Sequence, residues 1–281
     1  MHDPAAITAR VRPALEALAA RVTRWAAARG KLVVGIAGGQ GTGKSTLATL
    51  LCTLLSEEHG LRSVVLSLDD YYLSKAERAG LAREVHPLLA TRGVPGTHDA
   101  VALRRTIQQL RAAGAGEPVS LLQFSKAHDD RELTPRIVRG PFDVVLFEGW
   151  CVGARPQSDA ALAVPVNTLE ADEDHDAVFR RYVNTQLQTS YAGLFAELDQ
   201  LVFLVPETPG MASVHAFRAE QEQKLAAAHS GGSALMDATQ LARFIAHFER
   251  LTLHMQHTTP SHADGVLTIS ADRQVSVLLR R

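Results

Sequence analysis

Gly38, Gly43, Lys44 and Ser45 stand at the spacing G-x-x-x-x-G-K-[ST], inside the stretch GGQGTGKST of residues 38 to 46. That spacing marks a loop that wraps a phosphate. Glycines 38, 39, 41 and 43 reach backbone angles closed to other residues, so successive N–H groups can turn inward around an anion. Gln40, Thr42 and Thr46 contribute the remaining amides of the cradle. In such loops the lysine, here Lys44, reaches the β and γ phosphates, and the hydroxyl, here Ser45, ligates Mg²⁺. A nucleoside triphosphate with Mg²⁺ is the expected ligand.

Carboxylates come next. The stretch LDDYYLS places Asp69 and Asp70 directly after an apolar run, where either could take the proton of an attacking hydroxyl or simply cap a turn. The stretch DVVLFEGW ends an apolar run in Glu148, with Gly149 opening the backbone behind it, as expected of a carboxylate that binds or orients the metal. Lys126, His128, Asp129, Asp130 and Arg131 crowd into QFSKAHDDRE, which reads either as a solvated loop or as contacts to substrate or phosphate. In HAFRAEQEQKL, Arg218 and Lys224 could reach over a transferred phosphate as a lid, or line a solvated helix face. The histidines of HMQHTTPSH lack acidic or thiolate company at ligand spacing and are not read as a metal site.

These residues need a frame. LVVGIA before the loop is a β-branched run of strand length, and TLATLLCTLLSE after it repeats leucine at helical spacing. Further strands are predicted at SVVLSL, PVSLLQF, DVVLFE, LVFLV and GVLTIS, with helices over 99–114, 174–198, 211–229 and 237–256. LEADEDHD reads as a charged helix start. The alternation predicts an α/β fold of the P-loop NTPase type, a mostly parallel sheet wrapped by helices. In such sheets ligands sit at the carboxyl ends of the strands, which is where the candidate carboxylates fall.

Residues 1–30 repeat Ile7, Val11, Leu15, Leu18, Val22 and Trp25 every three or four positions and stop at Gly30. They predict an amphipathic N-terminal packing helix, kinked or started at Pro13. Residues 73–98 predict a substrate-side insertion within a single domain spanning 1–281. With 46% hydrophobic residues the chain can bury a sizeable core, and a net charge of −1 without a long basic run argues against nucleic acid. No run of eighteen apolar residues is present to span a membrane. Cys52 and Cys151 form neither a CxxC pair nor a disulfide framework, which fits a reducing cytoplasm.

Taken together, GGQGTGKST, LSLDDYYLS, TRGVPGTHD, FSKAHDDR, VVLFEGWCVG and FRAEQEQKL resemble, in order and in approximate spacing, the plant-type D-glycerate 3-kinases and their bacterial relatives. These belong to the phosphoribulokinase and uridine kinase superfamily. The resemblance covers about Val33 to Leu225 and implies ATP and Mg²⁺ as cofactors and a small-molecule acceptor, D-glycerate. It implies that Asp69, first residue of an Asp-x-[FY]-Tyr motif, is the catalytic acid of the superfamily, and that Glu148 serves the metal. It also implies that Arg92, His98 and Asp99 face the substrate and that Arg218 is a lid arginine. The candidate acceptor segments offer Arg92, His98, Lys126 and Arg131 against only Tyr71, Tyr72 and Phe124 as aromatics, which favours an anionic acceptor over a nucleoside. Two alternatives stand beside this: another kinase of the same superfamily, acting on a nucleoside, pantothenate or a sugar, or a nucleotide switch. Asp69 speaks against a switch, and the missing N-K-x-D motif speaks against guanine.

Overall fold

The computed structural model describes residues 4–228 and 237–279, with side chains described for all of these except 4–10, 222 and 224–228. Ile7 and Lys224 therefore lie outside the described side chains, and position 229, the predicted end of a helix, lies outside the described residues. Helix α1 (Pro4–Arg29) leads into β1 (Leu32–Gly38), and α2 (Lys44–Glu57) begins within the glycine-rich stretch. Strand β2 (Ser63–Ser67) passes through a 3-10 turn at Leu68–Tyr71 to α3 (Lys75–Glu84) and α4 (Ala100–Ala112). Four short strands follow, β3 (Pro118–Leu121), β4 (Phe124–Ser125), β5 (Asp130–Arg131) and β6 (Arg136–Arg139), and then β7 (Val144–Glu148). Helices α5 (Asp159–Ala163), α6 (Thr168–Glu173), α7 (Val178–Gln188) and α8 (Ser190–Phe195) precede β8 (Gln200–Pro206). Helices α9 (Met211–Ala228) and α10 (Ala238–Thr258) and strands β9 (Gly265–Ile269) and β10 (Val275–Leu279) end the described chain.

The main sheet runs β10-β9-β8-β1-β7-β2, all parallel except the edge strand β10, which pairs antiparallel with β9. Strand β1 is buried along its whole length, as a strand covered on both faces must be. Its residues alternate between two cores. Leu32, Val34 and Ile36 join α1 and α2 on one face, while Val33 and Ala37 join the cluster of α4, α7, α8 and α10 on the other. Helix α1 continues through Pro13 without a break and lays Leu15, Leu18 and Val22 into the first core.

Three expectations change in detail. PVSLLQF does supply a strand at 118–121, but β3 pairs antiparallel with β6 in a separate ribbon. Its burial alternates along the strand, which suits a ribbon with one wet face rather than a central parallel strand. The helix expected over 174–198 is divided into α7 and α8. Asp174 causes the late start, because its carboxylate accepts from the N–H groups of Phe179 (2.8 Å) and Arg180 (3.1 Å) and so caps α7. Within the insertion expected at 73–98 lies α3, opened by a capping box between Ser74 and Glu77, a local sequence signal for a helix there.

Candidate active site

The phosphate loop connects β1 to α2. Gly38, Gly41 and Gly43 have φ of 154°, 73° and 86°. At Gly41 space as well as angle demands glycine, since an added Cβ would lie 2.7 Å from the Phe217 backbone of α9. At Gly38 it would lie 2.5 Å from the Leu204 carbonyl oxygen, its register partner on β8. Gly43 is the N-cap of α2 and offers no side-chain cap, so the first-turn N–H groups can serve an anion. Gln40 and Thr42 complete the turn, with the Thr42 hydroxyl donating to the Gly39 carbonyl at 2.8 Å. Lys44 Nζ donates to the same carbonyl at 3.0 Å. Burial lowers the Lys44 pKa, opposed by the negative charges of Glu148 and Asp69, so these three side chains share one electrostatic site. Ser45 and Thr46 are exposed at the start of α2.

Parallel register builds the next group. On β7 Glu148 is level with Ile36 of β1 and Ser67 of β2, so the ends of three strands meet. Glu148 is 6% exposed, and its Oε1 accepts from Ser45 Oγ at 3.0 Å and from Ser67 Oγ at 2.7 Å. One carboxylate and two hydroxyls form a hard, all-oxygen donor set of the kind that suits a cation keeping several waters, as Mg²⁺ does.

Asp69 sits two residues beyond Ser67. Its Oδ1 accepts from the Tyr72 hydroxyl at 2.7 Å and its Oδ2 from Lys126 Nζ at 2.7 Å. Burial by itself would raise its pKa, but Lys126 and the Tyr72 hydrogen bond outweigh that and hold it down to about 2. Asp70 behaves in the opposite way, its pKa raised by burial. The Tyr72 ring stacks on His98, with centroids 4.6 Å apart, and meets Phe124 edge-on at 5.1 Å. His98 is buried, paired through Nδ1 with the Tyr191 hydroxyl at 2.6 Å, and held neutral because burial lowers its pKa to about 4.

The other sequence candidates take different positions. Arg92 lies over the Phe124 ring, 5.6 Å from its centre, and pairs with Asp129, which also accepts from buried Arg78 at 2.6 Å. Asp99 is the N-cap of α4, accepting from Ala102 N at 2.9 Å. Arg131 donates to the Tyr72 carbonyl at 2.9 Å and lies 3.6 Å from both Glu77 and Asp99. These two side chains tie the hairpin of β4 and β5 to α3 and α4. Arg218 lies on α9 with its guanidinium 5.7 Å from the Phe244 ring centre, on the α10 side. Ser67, Arg78 and Tyr191 escaped the sequence reading, and Tyr72 entered it only as an aromatic, not as the partner of Asp69. Ser67 alone had a local signal, as a polar residue ending a strand two positions before Asp69.

A phosphate loop at the end of β1, flanked on one sheet edge by a metal-type carboxylate and a strand-end aspartate, defines a P-loop phosphotransferase. No family model matches the chain. An uncharacterized kinase, mug58, of Schizosaccharomyces pombe is 32% identical over 227 residues, which cover 77% of this chain and 78% of that protein. The chloroplastic D-glycerate 3-kinase of Arabidopsis thaliana is 26% identical over 264 residues, 88% of this chain and 54% of the longer plant protein. The solved structure of a D-glycerate 3-kinase from Cryptococcus neoformans superposes with a TM-score of 0.78 at 25% identity, over 95% of this chain and 99% of that one. The chain belongs to the family of P-loop kinases that includes the plant-type D-glycerate 3-kinases, and it is an ATP-dependent kinase.

Proposed function

We propose that this kinase transfers the γ-phosphate of ATP to D-glycerate, forming 3-phosphoglycerate. The observation that carries the reading is the side-chain group around Asp69, where one exposed cation, Lys126, stands beside aromatic faces that are already covered. Tyr72 is stacked on His98, Phe124 carries Arg78 and Arg92 against its ring, and Tyr71 is fully buried. A nucleobase would need such a face, whereas a small carboxylate needs a cation. Lys126, 62% exposed, is the cation best able to swing onto one. The D-glycerate kinases among the relatives support the same acceptor.

In this reading the loop amides of residues 38–46 and Lys44 bind the triphosphate. Ser45 and Glu148 would hold Mg²⁺, which supplies charge neutralisation across the phosphates. Asp69 accepts a hydrogen bond from the attacking hydroxyl and later its proton. A carboxylate with so low a pKa is a weak base, so its main work is orientation, which suits a loose phosphoryl-transfer transition state. Arg92, His98 and Asp99 shape the acceptor pocket, Arg131 braces it, and Arg218 approaches from α9.

Among the described residues no helix is long and apolar enough to cross a membrane. Both cysteines are free thiols, which supports the cytoplasmic location we propose. The test is a coupled ADP-release assay on D-glycerate, uridine and pantothenate. Turnover with D-glycerate, and 3-phosphoglycerate as the product, is expected. Faster turnover of either other acceptor would overturn the glycerate reading and leave the kinase family standing.

A further inference from the structure

The turn between β9 and β10 lies far from Gly41 in sequence but touches it. Arg273 in this turn donates from Nη1 to the Gly41 carbonyl at 2.7 Å. Its Nε donates to Glu220 on α9 at 2.9 Å, its Nη2 binds the same carboxylate, and its guanidinium lies 3.8 Å from the Phe217 ring centre. The phosphate loop and α9 thus converge on one side chain of the turn. We propose that Arg273 is a positioning residue for the nucleotide, fixing the Gly41–Thr42 peptide of the phosphate loop and joining it to α9.

Two observations argue for this. The first is the backbone of Arg273 itself, at φ 68°, with its N–H donating to the Ser270 carbonyl at 3.0 Å. That is the left-handed position of a hairpin turn, where glycine is the unstrained choice. An arginine there is strained, and its side-chain contacts offset the strain. The second is the peptide it holds. The Gly41 carbonyl points to Arg273 while the Thr42 N–H, on the opposite edge of the same peptide, faces the Gly39 carbonyl at 3.4 Å. Glycine at 41 leaves this peptide free to flip, and a flip would break the Thr42 N–H bond and turn a carbonyl oxygen toward that of Gly39, unmaking the loop's shape. The arginine fork spans Gly41 and Glu220 together, a geometry that a single ammonium lacks.

Titration of the full chain with Mg·ADP by calorimetry tests the proposal, and because ADP needs no acceptor the result is independent of the D-glycerate reading. Arg273→Gly removes the fork and relieves the backbone, so the ADP Kd is expected to rise about tenfold, the worth of one charge-assisted bond, while Tm holds or increases. Arg273→Lys keeps the charge but loses the fork, and is expected to recover less than half of that loss on the free-energy scale. The proposal fails if Arg273→Gly binds ADP within twofold of wild type, or if its Tm falls in step with the affinity. It also fails if Arg273→Lys binds as tightly as wild type, since charge alone would then suffice.

Discussion

The phosphate loop and the acceptor side lie on the same edge of one sheet but are made of different material. The first is backbone, supplied by consecutive residues whose glycines and following helix fix the amide directions. The second is side chains from separate segments, held by Tyr72 on Asp69, Lys126 on Asp69, and Arg78 and Arg92 on Asp129. A backbone cradle serves any triphosphate. A side-chain network can be retuned for a new acceptor by exchanging a few partners, and this is how one fold serves kinases of different substrates. The contrast also predicts that damage to one half leaves the other intact.

The largest effect should come from the phosphate half. Lys44→Ala removes a partly buried cation from the transferring phosphates, and kcat/KM for ATP should fall by about 10³ while the fold is kept. Steady-state kinetics with a melting curve would check this, and an unchanged kcat/KM would contradict it. On the acceptor side, Arg78 is 1% exposed and donates to the carbonyls of Leu73 and Asp129 as well as to the Asp129 carboxylate. Arg78→Ala should cost about 3 kcal/mol of stability, the low end for a broken buried pair because Asp129 is partly exposed. Denaturant unfolding measures that cost. Calorimetry on the surviving folded protein should find Mg·ADP affinity within a factor of about two of wild type; a parallel loss would mean that the two halves are not separable.

Asp69→Asn follows. It keeps the shape and the Tyr72 contact but cannot take a proton, so kcat should drop by about 10² with nucleotide affinity retained. If Asp70→Asn does the greater damage, the roles of the adjacent aspartates are exchanged. The opposite pKa shifts of the two favour Asp69, since the residue paired with Lys126 and Tyr72 is the one kept ionised.

The same contrast governs how much could be read in advance. Gly38 to Thr46 were legible because a phosphate loop is written in one stretch with its strand and helix beside it. Glu148 and Asp69 were legible as carboxylates ending apolar runs. The full burial of β1, β7 and β8 followed from their apolar residues. What stayed hidden depends on pairing across the chain. Nothing local to Pro118–Leu121 says that its partner is Arg136–Arg139 and not the main sheet. Nothing local to Asp99 or Arg131 separates a substrate contact from a helix cap and a brace. Val275–Leu279 escaped as a strand, and with it the turn that carries Arg273 to Gly41.

The smallest effect at neutral pH, and the most informative about the acceptor half, should come from Lys126→Met. In the wild type Asp69 has a pKa lowered to about 2 against an ordinary 3.8, so it stays ionised across the working range. The stability this adds is fully present above the unfolded value and is lost only as pH falls through about 2. His98, with a pKa of about 4, is neutral over the same range and should add no limb near pH 6.5. With Lys126 gone, burial is opposed only by the Tyr72 hydrogen bond and the weaker influence of His98 and Lys44, and the Asp69 pKa must rise. An acid limb should then enter the kcat/KM profile for the acceptor at about pH 4 to 6, where the wild type is flat, with little change at pH 8 beyond a higher acceptor KM. A Lys126→Arg variant keeps the charge and should restore the flat profile. Coincident profiles for Lys126→Met and wild type would show that Lys126 does not set the ionisation of Asp69, and that the cation serves the acceptor alone.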